Sequence, residues 1–267
     1  MKPCGKLLLA MLLFISTGCA QSDETPAQTI GPRFHYETSY DESGIKGEAI
    51  GWGKQVPLYK EYKDAPKTRL PEPSPSELSV AKALQQRKSV REFSEAPLTL
   101  PQLSRLLLSA DGLTQSRGGI ARRSAPSAGA LYPMEIYVIA SKVVSLAAGL
   151  YHFQVSDSSL ELINEGNLDD ALYAAVNEQA AFVDSPVYLI LTARFDRVTK
   201  KYGDRGYRYV YVEAGAVCQN IYLEAESLGL GTVVVGAFLD DAVNGLVAID
   251  GRDEAALLLM PVGFPAE

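Results

Sequence analysis

Apolar residues recur along this chain at two periods, and the period changes wherever a turn signal intervenes. Leu78, Ala81, Ala83 and Leu84 follow Ser76 at helical spacing and predict a first helix to about Arg87. Thr99 is placed to cap a second helix, with Leu100, Leu103, Leu106 and Leu107 on one face and its end near Gly112. Glu135 to Ala140 reads as a strand, and Gly149 to Val155 with Ser159 to Ile163 as a hairpin. Leu168 to Gln179 has a helical pattern, and Pro186 to Phe195 is the near-continuous apolar run of a buried central strand. Asp196 to Gly206 reads as a polar loop. A long helix is predicted from about Tyr207 to Leu228, where Val210, Ala214, Val217, Ile221, Ala225 and Leu228 recur at intervals of 4, 3, 4, 4 and 3. Ala214-Gly215-Ala216 leaves one side of it thin, so something packs close there, and Gly229 stops it. Gly231 to Phe238 reads as another buried strand, Asp240 to Leu246 as a short helix and Ala255 to Gly263 as the last strand. Strands and helices alternate without the regular rhythm of a doubly wound sheet, which places the chain in the α+β class.

A length of 267 residues with 47% apolar content suits one or two domains with a real core. The formal charge of −7 speaks against nucleic acid as a partner, because phosphate backbones call for a basic surface. The first residues have the layout of a targeting segment: Lys2 and Lys6, the apolar run Leu7 to Ile15, then Ser16-Thr17-Gly18-Cys19. That last group resembles a bacterial lipobox, although Ser16 stands where leucine is commonest; an ordinary secretory signal is the other reading. The expectation is a lipoprotein-type signal peptide over residues 1–18, a lipid on Cys19, and a place in the bacterial cell envelope with the membrane touched only through that lipid. Residues 19–57 would be a tether and extended arm, flexible from Gln21 to Pro32, then anchored by Trp52, Val56, Leu58, Tyr59 and Tyr62 and ending at Leu70-Pro71-Glu72-Pro73. The body would run from residue 58 to 267. Of three cysteines, Cys4 leaves with the signal and Cys19 takes lipid, so Cys218 has no partner for a disulfide and reads as a small buried hydrophobe on the long helix.

Several chemistries lack their residues. No phosphate-binding Gly-x-x-x-x-Gly-Lys-Ser/Thr occurs, and no Gly-x-Gly-x-x-Gly opens a helix after a strand. His35 and His152 are the only histidines, at no spacing that suggests a metal, and His152 reads as an ordinary strand residue. Ser127 lacks the nucleophile elbow of a hydrolase. What remains is anion binding. Arg87, Lys88, Ser89 and Arg91 put two guanidiniums, an ammonium and a hydroxyl within five residues, the donors a phosphate monoester needs; a solvated basic turn is the plain alternative. The stretch Pro126-Ser127-Ala128-Gly129-Ala130-Leu131-Tyr132-Pro133 joins turn residues to small side chains, which lets a flat ligand lie against backbone or merely caps a strand.

Four blocks occur in one order: Arg87-x-Ser89-x-Arg91-x-Phe93; Pro126 to Pro133; Lys201-Tyr202-Gly203 through Tyr207-Arg208, Glu213-Ala214-Gly215 and Gln219-Asn220; and Gly229-Leu230-Gly231 through Val235-Gly236-Ala237-Phe238. Together, over about Leu58 to Pro265, they resemble the FMN-dependent nitroreductase superfamily and its SagB/ThcOx-type dehydrogenase branch. The resemblance implies a nitroreductase-like mixed sheet flanked by helices, with the long helix at the core of a homodimer that holds two FMN sites. It implies that Arg87, Lys88 and Ser89 hold the phosphate and ribityl end and that Arg91 lies near the pyrimidine edge. Pro126, Ser127, Ala128 and Gly129 would reach the cofactor from the other subunit. Val234, Val235 and Gly236 would lie on the ring, with a backbone N–H at N5. Lys201 and Tyr202 match the Lys-Tyr pair of peptide-modifying members, where the lysine would take a carbon-bound proton. Many members of the superfamily carry Lys or Arg after the last strand; Gly263-Phe264-Pro265-Ala266-Glu267 has neither, so the phosphate would rely on Arg87, Lys88 and Arg122 or Arg123.

The leading expectation is therefore an exported FMN oxidoreductase that moves a hydride through flavin N5 to or from a small or peptide-derived substrate. The alternative is a lipid-anchored flavin- or ligand-binding protein on the same scaffold with little turnover.

Overall fold

The computed structural model describes residues 29–40, 56–74, 78–114 and 122–266. The signal segment, Cys19, Trp52 and Ser76 lie outside the described residues. The chain divides into two units, 1–45 and 46–267. In the first, Ile30–Glu37 forms helix α1, where an extended tether was expected; an Arg33–Glu37 ion pair spans one turn of it. No described helix is long and apolar enough to cross a membrane.

The second unit is built on a seven-stranded sheet. In chain order its strands are β1 (Lys67–Arg69), β3 (Met134–Ala140), β5 (Gly149–Gln154), β6 (Ser159–Glu165), β7 (Val187–Arg194), β8 (Gly231–Thr232) and β9 (Glu254–Gly263). Their spatial order is β1-β6-β5-β3-β7-β9-β8, all paired antiparallel. Parallel pairing enters at the edges. Ser89 bridges Thr232 beside β8, and β2 (Leu98–Thr99) pairs with β4 (Val143–Val144) in a separate ribbon. The mixed sheet of an α+β fold is thus realised.

Helices cover both faces because the central strands are apolar on both. Ile136, Val138, Leu189 and Leu191 point to a layer made by α3 (Leu100–Asp111) and α6 (Gly206–Ser227). Tyr137, Ile139, Tyr188 and Ile190 point the other way, to α4 (Asp169–Ala175) and α7 (Asp240–Leu246). The period of two along each strand produces this division. On α6, Val210, Ala214, Val217, Ile221 and Ala225 are all buried in the first layer, and Gly229 at φ +69 ends the helix. α3 opens on a capping box in which Thr99 and Gln102 satisfy each other's backbone N–H groups.

Four expected elements differ. The first helix of the body, α2 (Val80–Gln86), is capped by Ser79, whose hydroxyl accepts the Lys82 N–H. The predicted helix over 168–179 closes earlier, as α4 and a short 3-10 turn at Ala180–Phe182. The polar stretch after β7 is a helix, α5 (Phe195–Tyr202), followed by a 3-10 turn. Its charged residues hide an inner face of Phe195, Val198 and the buried Arg197. The predicted strand 231–238 is only two residues long; beyond it the chain turns irregular, with a single bridge from Val235 to Leu259. Val234 and Gly236 there are exposed, which a strand buried on both faces would not allow.

Candidate functional site

Helix α6 carries the site at two places along its length. Toward its C-terminal end, Tyr222 is buried and its hydroxyl accepts the Val234 N–H at 2.8 Å. The same hydroxyl lies 3.2 Å from Ser89 Oγ, and the Arg87 guanidinium sits 5.0 Å over the Tyr222 ring. One side chain thus ties the Arg87–Arg91 segment to the Val234–Gly236 segment. The backbone repeats the tie: Val90 N–H donates to Thr232 O, and Gly231 lies so close to Val90 that a Cβ on it would be 2.6 Å away. Lys88, Ser89 and Arg91 are exposed and Arg87 is half-buried. A guanidinium held on a ring, an ammonium and a hydroxyl in three successive residues suit a phosphate monoester. Of the three N–H groups on the other segment, Val234's goes to Tyr222 and Val235's to Leu259 O. Gly236's has no protein acceptor among the described residues, so it is free for a ring nitrogen.

About 14 Å away along α6, nine residues at 1.5 Å each, Glu213 marks the second place. Here Ser127 Oγ accepts the Tyr132 N–H at 2.9 Å. Gly129 adopts φ +65, the left-handed conformation glycine takes without strain. A Cβ at Gly129 would lie 2.7 Å from Tyr202 Oη and 2.8 Å from Lys201 Nζ. The turn therefore closes directly on the Lys-Tyr pair of α5. Lys201 Nζ also lies 5.1 Å over the Tyr202 ring, which packs edge-on against Tyr209 of α6. So the structure brings Pro126–Gly129 together with Lys201 and Tyr202, and brings Arg87–Arg91 together with Val234–Gly236. The two groups stand on separate stretches of one helix.

Behind the second group runs a buried ionic network. His152 on β5 places Nε2 2.9 Å from Glu135 and Nδ1 2.9 Å from Glu161. Burial alone would lower the His152 pKa, but the hydrogen bonds and charges of the two carboxylates carry it above its ordinary value, which favours the charged ring. Burial would likewise raise Glu135, yet the charge of Arg197 at 2.6 Å and the hydrogen bond from His152 hold it at about 2. Arg197 also donates from Nη1 to Tyr132 O at 2.8 Å and from Nε to Pro57 O at 2.9 Å. One buried guanidinium thus clamps the end of the Ser127 turn and the incoming chain to the sheet. Arg123 is 6% exposed and paired with Asp111 at 2.6 Å, so it is no phosphate ligand and that expectation is corrected. Its guanidinium is spent on a structural pair; Arg122 beside it is exposed. Cys218 is buried in the apolar face of α6, with its thiol pushed up to about 12.

Tyr222, Arg197 and the pair Glu135–Glu161 escaped the sequence reading, and Glu213 entered it only inside a motif, with no role. Tyr222 and Glu135 each border an apolar run, whereas Arg197 is hidden in a charged stretch; each stands out only as a polar group at a core position. Tyr222 follows Ile221 on the buried side of α6, and Glu135 precedes the apolar run of β3.

A family model described as "Nitroreductase family" matches residues 84–264. A protein of Methanocaldococcus jannaschii described as a candidate nitroreductase is 44% identical over 195 residues, 73% of this chain and 96% of that protein. The Escherichia coli microcin B17-processing protein McbC is 28% identical over 171 residues, 62% of this chain and 62% of McbC. The crystal structure of a candidate nitroreductase from Anabaena variabilis matches with a TM-score of 0.73 at 31% identity, over 88% of this chain and 46% of that one.

Proposed function

Because the chain belongs to the nitroreductase family, we propose that it is an FMN-dependent oxidoreductase of the SagB type, a homodimer that oxidises a small or peptide-derived substrate. It would be exported and held at the bacterial cell envelope by a lipid on Cys19. The observation that carries this reading is the Tyr222 hydroxyl between Ser89 and Val234. It makes one site of two segments that the resemblance assigns to the two ends of one flavin.

When bound, FMN supplies a two-electron acceptor at N5. Arg87, Lys88 and Ser89 would hold its phosphate and ribityl end by charge-assisted hydrogen bonds, with Arg91 near the pyrimidine edge. The Gly236 N–H would be the donor offered to the ring. On the substrate side, Lys201 takes the proton from carbon, with Tyr202 beside it, and the turn Pro126–Gly129 shapes the wall. Support for a peptide-derived substrate is the likeness to McbC, named for processing a peptide, together with the Lys-Tyr pair; the chain spans less than two thirds of McbC.

Support for the homodimer is the outer side of α6. Tyr211 and Val212 are 50% and 74% exposed, and a Cβ on Gly215 would meet nothing within 4 Å.

The test is the visible spectrum of the purified, detergent-solubilised protein. A yellow preparation, or flavin bands gained on adding FMN, is expected; a colourless protein that never gains them removes the oxidoreductase reading. Lys201→Ala is expected to keep the flavin and lose turnover.

A further inference from the structure

The turn that enters β3 has a backbone its side chains do not favour. Gly129, Ala130 and Tyr132 stand at φ +65, +54 and +46, so three of four successive residues are left-handed and two of those carry a Cβ. A residue as bulky as tyrosine keeps such a conformation only where its surroundings over-determine it. Every polar group of Tyr132 is engaged. Its N–H donates to Ser127 Oγ at 2.9 Å, its hydroxyl accepts the Arg123 N–H at 3.3 Å, and its carbonyl accepts from Arg197 Nη1 at 2.8 Å. The first two bonds stay within one short stretch of chain. The third comes from a different element, α5.

Arg197 is 3% exposed and is itself fixed from two sides. Its Nε donates to Pro57 O at 2.9 Å. Its Nη2 lies 2.6 Å from Glu135 Oε1, where the two meet as charges rather than as an aligned hydrogen bond, and Glu135 is anchored in turn 2.9 Å from His152 Nε2. Arg197 and Lys201 are four residues apart in α5, one above the other on a single face. The helix therefore meets the turn twice. Arg197 grips the Tyr132 end, while Lys201 and Tyr202 lie against the Gly129 apex, where a Cβ would stand 2.8 and 2.7 Å from them.

We propose that Arg197 is a positioning residue: by holding the Tyr132 carbonyl it keeps the left-handed turn in place, and so sets Gly129 against Lys201 and Tyr202 one turn further along the same helix. This rests on the reading of Lys201 and Tyr202 as the proton-handling pair. The role belongs to the planar fork of a guanidinium, which serves Glu135, Tyr132 O and Pro57 O in three directions. A lysine at 197 keeps the charge beside Glu135 but brings a single ammonium to those three partners. Methionine keeps much of the stem and removes every donor.

The experiment is competitive acetylation of amines in the purified full chain, with each lysine quantified by mass spectrometry. Lys200 is exposed and Lys201 half-buried beside it, so the ratio of their labelling is an internal measure of how closely the turn is held. Cys218, buried in α6, reports by its resistance to a thiol reagent that the body is still folded. In the wild type Lys201 is expected to label more slowly than Lys200. Arg197→Lys and Arg197→Met are each expected to raise the Lys201 to Lys200 ratio about fivefold, the change in population that losing one such hydrogen bond produces. An unchanged ratio in either variant whose Cys218 stays closed overturns the proposal, as do equal rates for the two lysines in the wild type. If methionine at 197 opens Cys218, the lysine variant decides alone. The ratio needs no turnover, so the two readings fail separately. A chain that loses turnover in Lys201→Ala but whose ratio ignores Arg197 keeps its catalytic lysine and loses this role for Arg197. A chain whose ratio responds to Arg197 but which turns over normally in Lys201→Ala keeps the held turn and loses the proton-handling pair.

Discussion

Tyr222 accepts the backbone N–H of Val234 at 2.8 Å while its hydroxyl lies 3.2 Å from Ser89 Oγ, adding a side-chain tie to the backbone bridge between the two segments. Tyr222→Phe removes it and leaves the Val234 N–H and the Ser89 hydroxyl short of a partner. A loss of about 1–3 kcal/mol is expected for a buried donor left unsatisfied. It should appear as weaker FMN affinity in a fluorescence titration, larger than any fall in thermal stability. Equal FMN affinity in the two proteins would show that the hydroxyl does not organise the site.

At Gly129 the prediction is steric. Alanine there places a methyl within 3 Å of Tyr202 Oη and Lys201 Nζ and strains a backbone at φ +65 by about 1 kcal/mol or more. Turnover is expected to fall at least tenfold while the flavin spectrum is retained. A Gly129→Ala enzyme of full activity would mean that the turn does not set the pose of the Lys-Tyr pair.

The His152 network yields a stability prediction. Leucine at His152 leaves Glu135 and Glu161 buried with fewer donors, and breaking such a pair costs about 3–5 kcal/mol. Chemical denaturation should show that loss; a change under 1 kcal/mol would mean water takes the place of the ring.

The direction of the pH dependence follows from the same groups. His152, raised in the fold, contributes stability that is complete below about 6.5 and is lost as pH climbs through its folded value. Glu135, held at about 2, contributes stability that is present above the ordinary carboxyl range and is lost only in strong acid. Glu213, raised to about 8, keeps a proton that the unfolded chain gives up, so stability falls between the ordinary carboxyl range and 8. All three place the maximum on the acid side of neutrality. Thermal unfolding midpoints are expected to fall as pH is raised from 5.5 to 8.5, with a shallower fall in Glu213→Gln. A midpoint that stays constant or climbs over that range would contradict these assignments.

Cys218 should resist thiol reagents in the native protein. Its burial and a thiol pKa of about 12 leave almost no thiolate at neutral pH. Labelling is expected only after denaturant is added; rapid labelling of the folded chain would place the thiol elsewhere.

Period and turn chemistry made most of the fold legible. The stripe on α6, the Thr99 cap and the alternation in β5 and β6 each follow from local rules that the tertiary structure respects. α5 was read as a loop because its charged residues outnumber its apolar ones. Its helix depends on Phe195 and Val198 finding the core and on Arg197 finding Glu135, which are long-range facts. The extended reading of 231–238 failed for a related reason: valines at 233–235 suit a strand, but Val234 is exposed and its backbone N–H goes to the Tyr222 hydroxyl rather than to a neighbouring strand. At the site, the basic turn and the small-residue stretch announced themselves. Tyr222 did not, because a polar atom in a stripe declares its purpose only when its partner is known.

The bridge between Ser89 and Thr232 joins positions about 140 residues apart in the chain. Contacts of such separation close large loops and form late in folding, after local helices and hairpins. The proposed phosphate end would therefore be missing from a partly folded chain, however much secondary structure that chain has gained. Flavin uptake would then serve as a proofreader of completed assembly: a chain whose long helix has not docked has nowhere to keep the cofactor, and its lack of colour would mark it as unfinished.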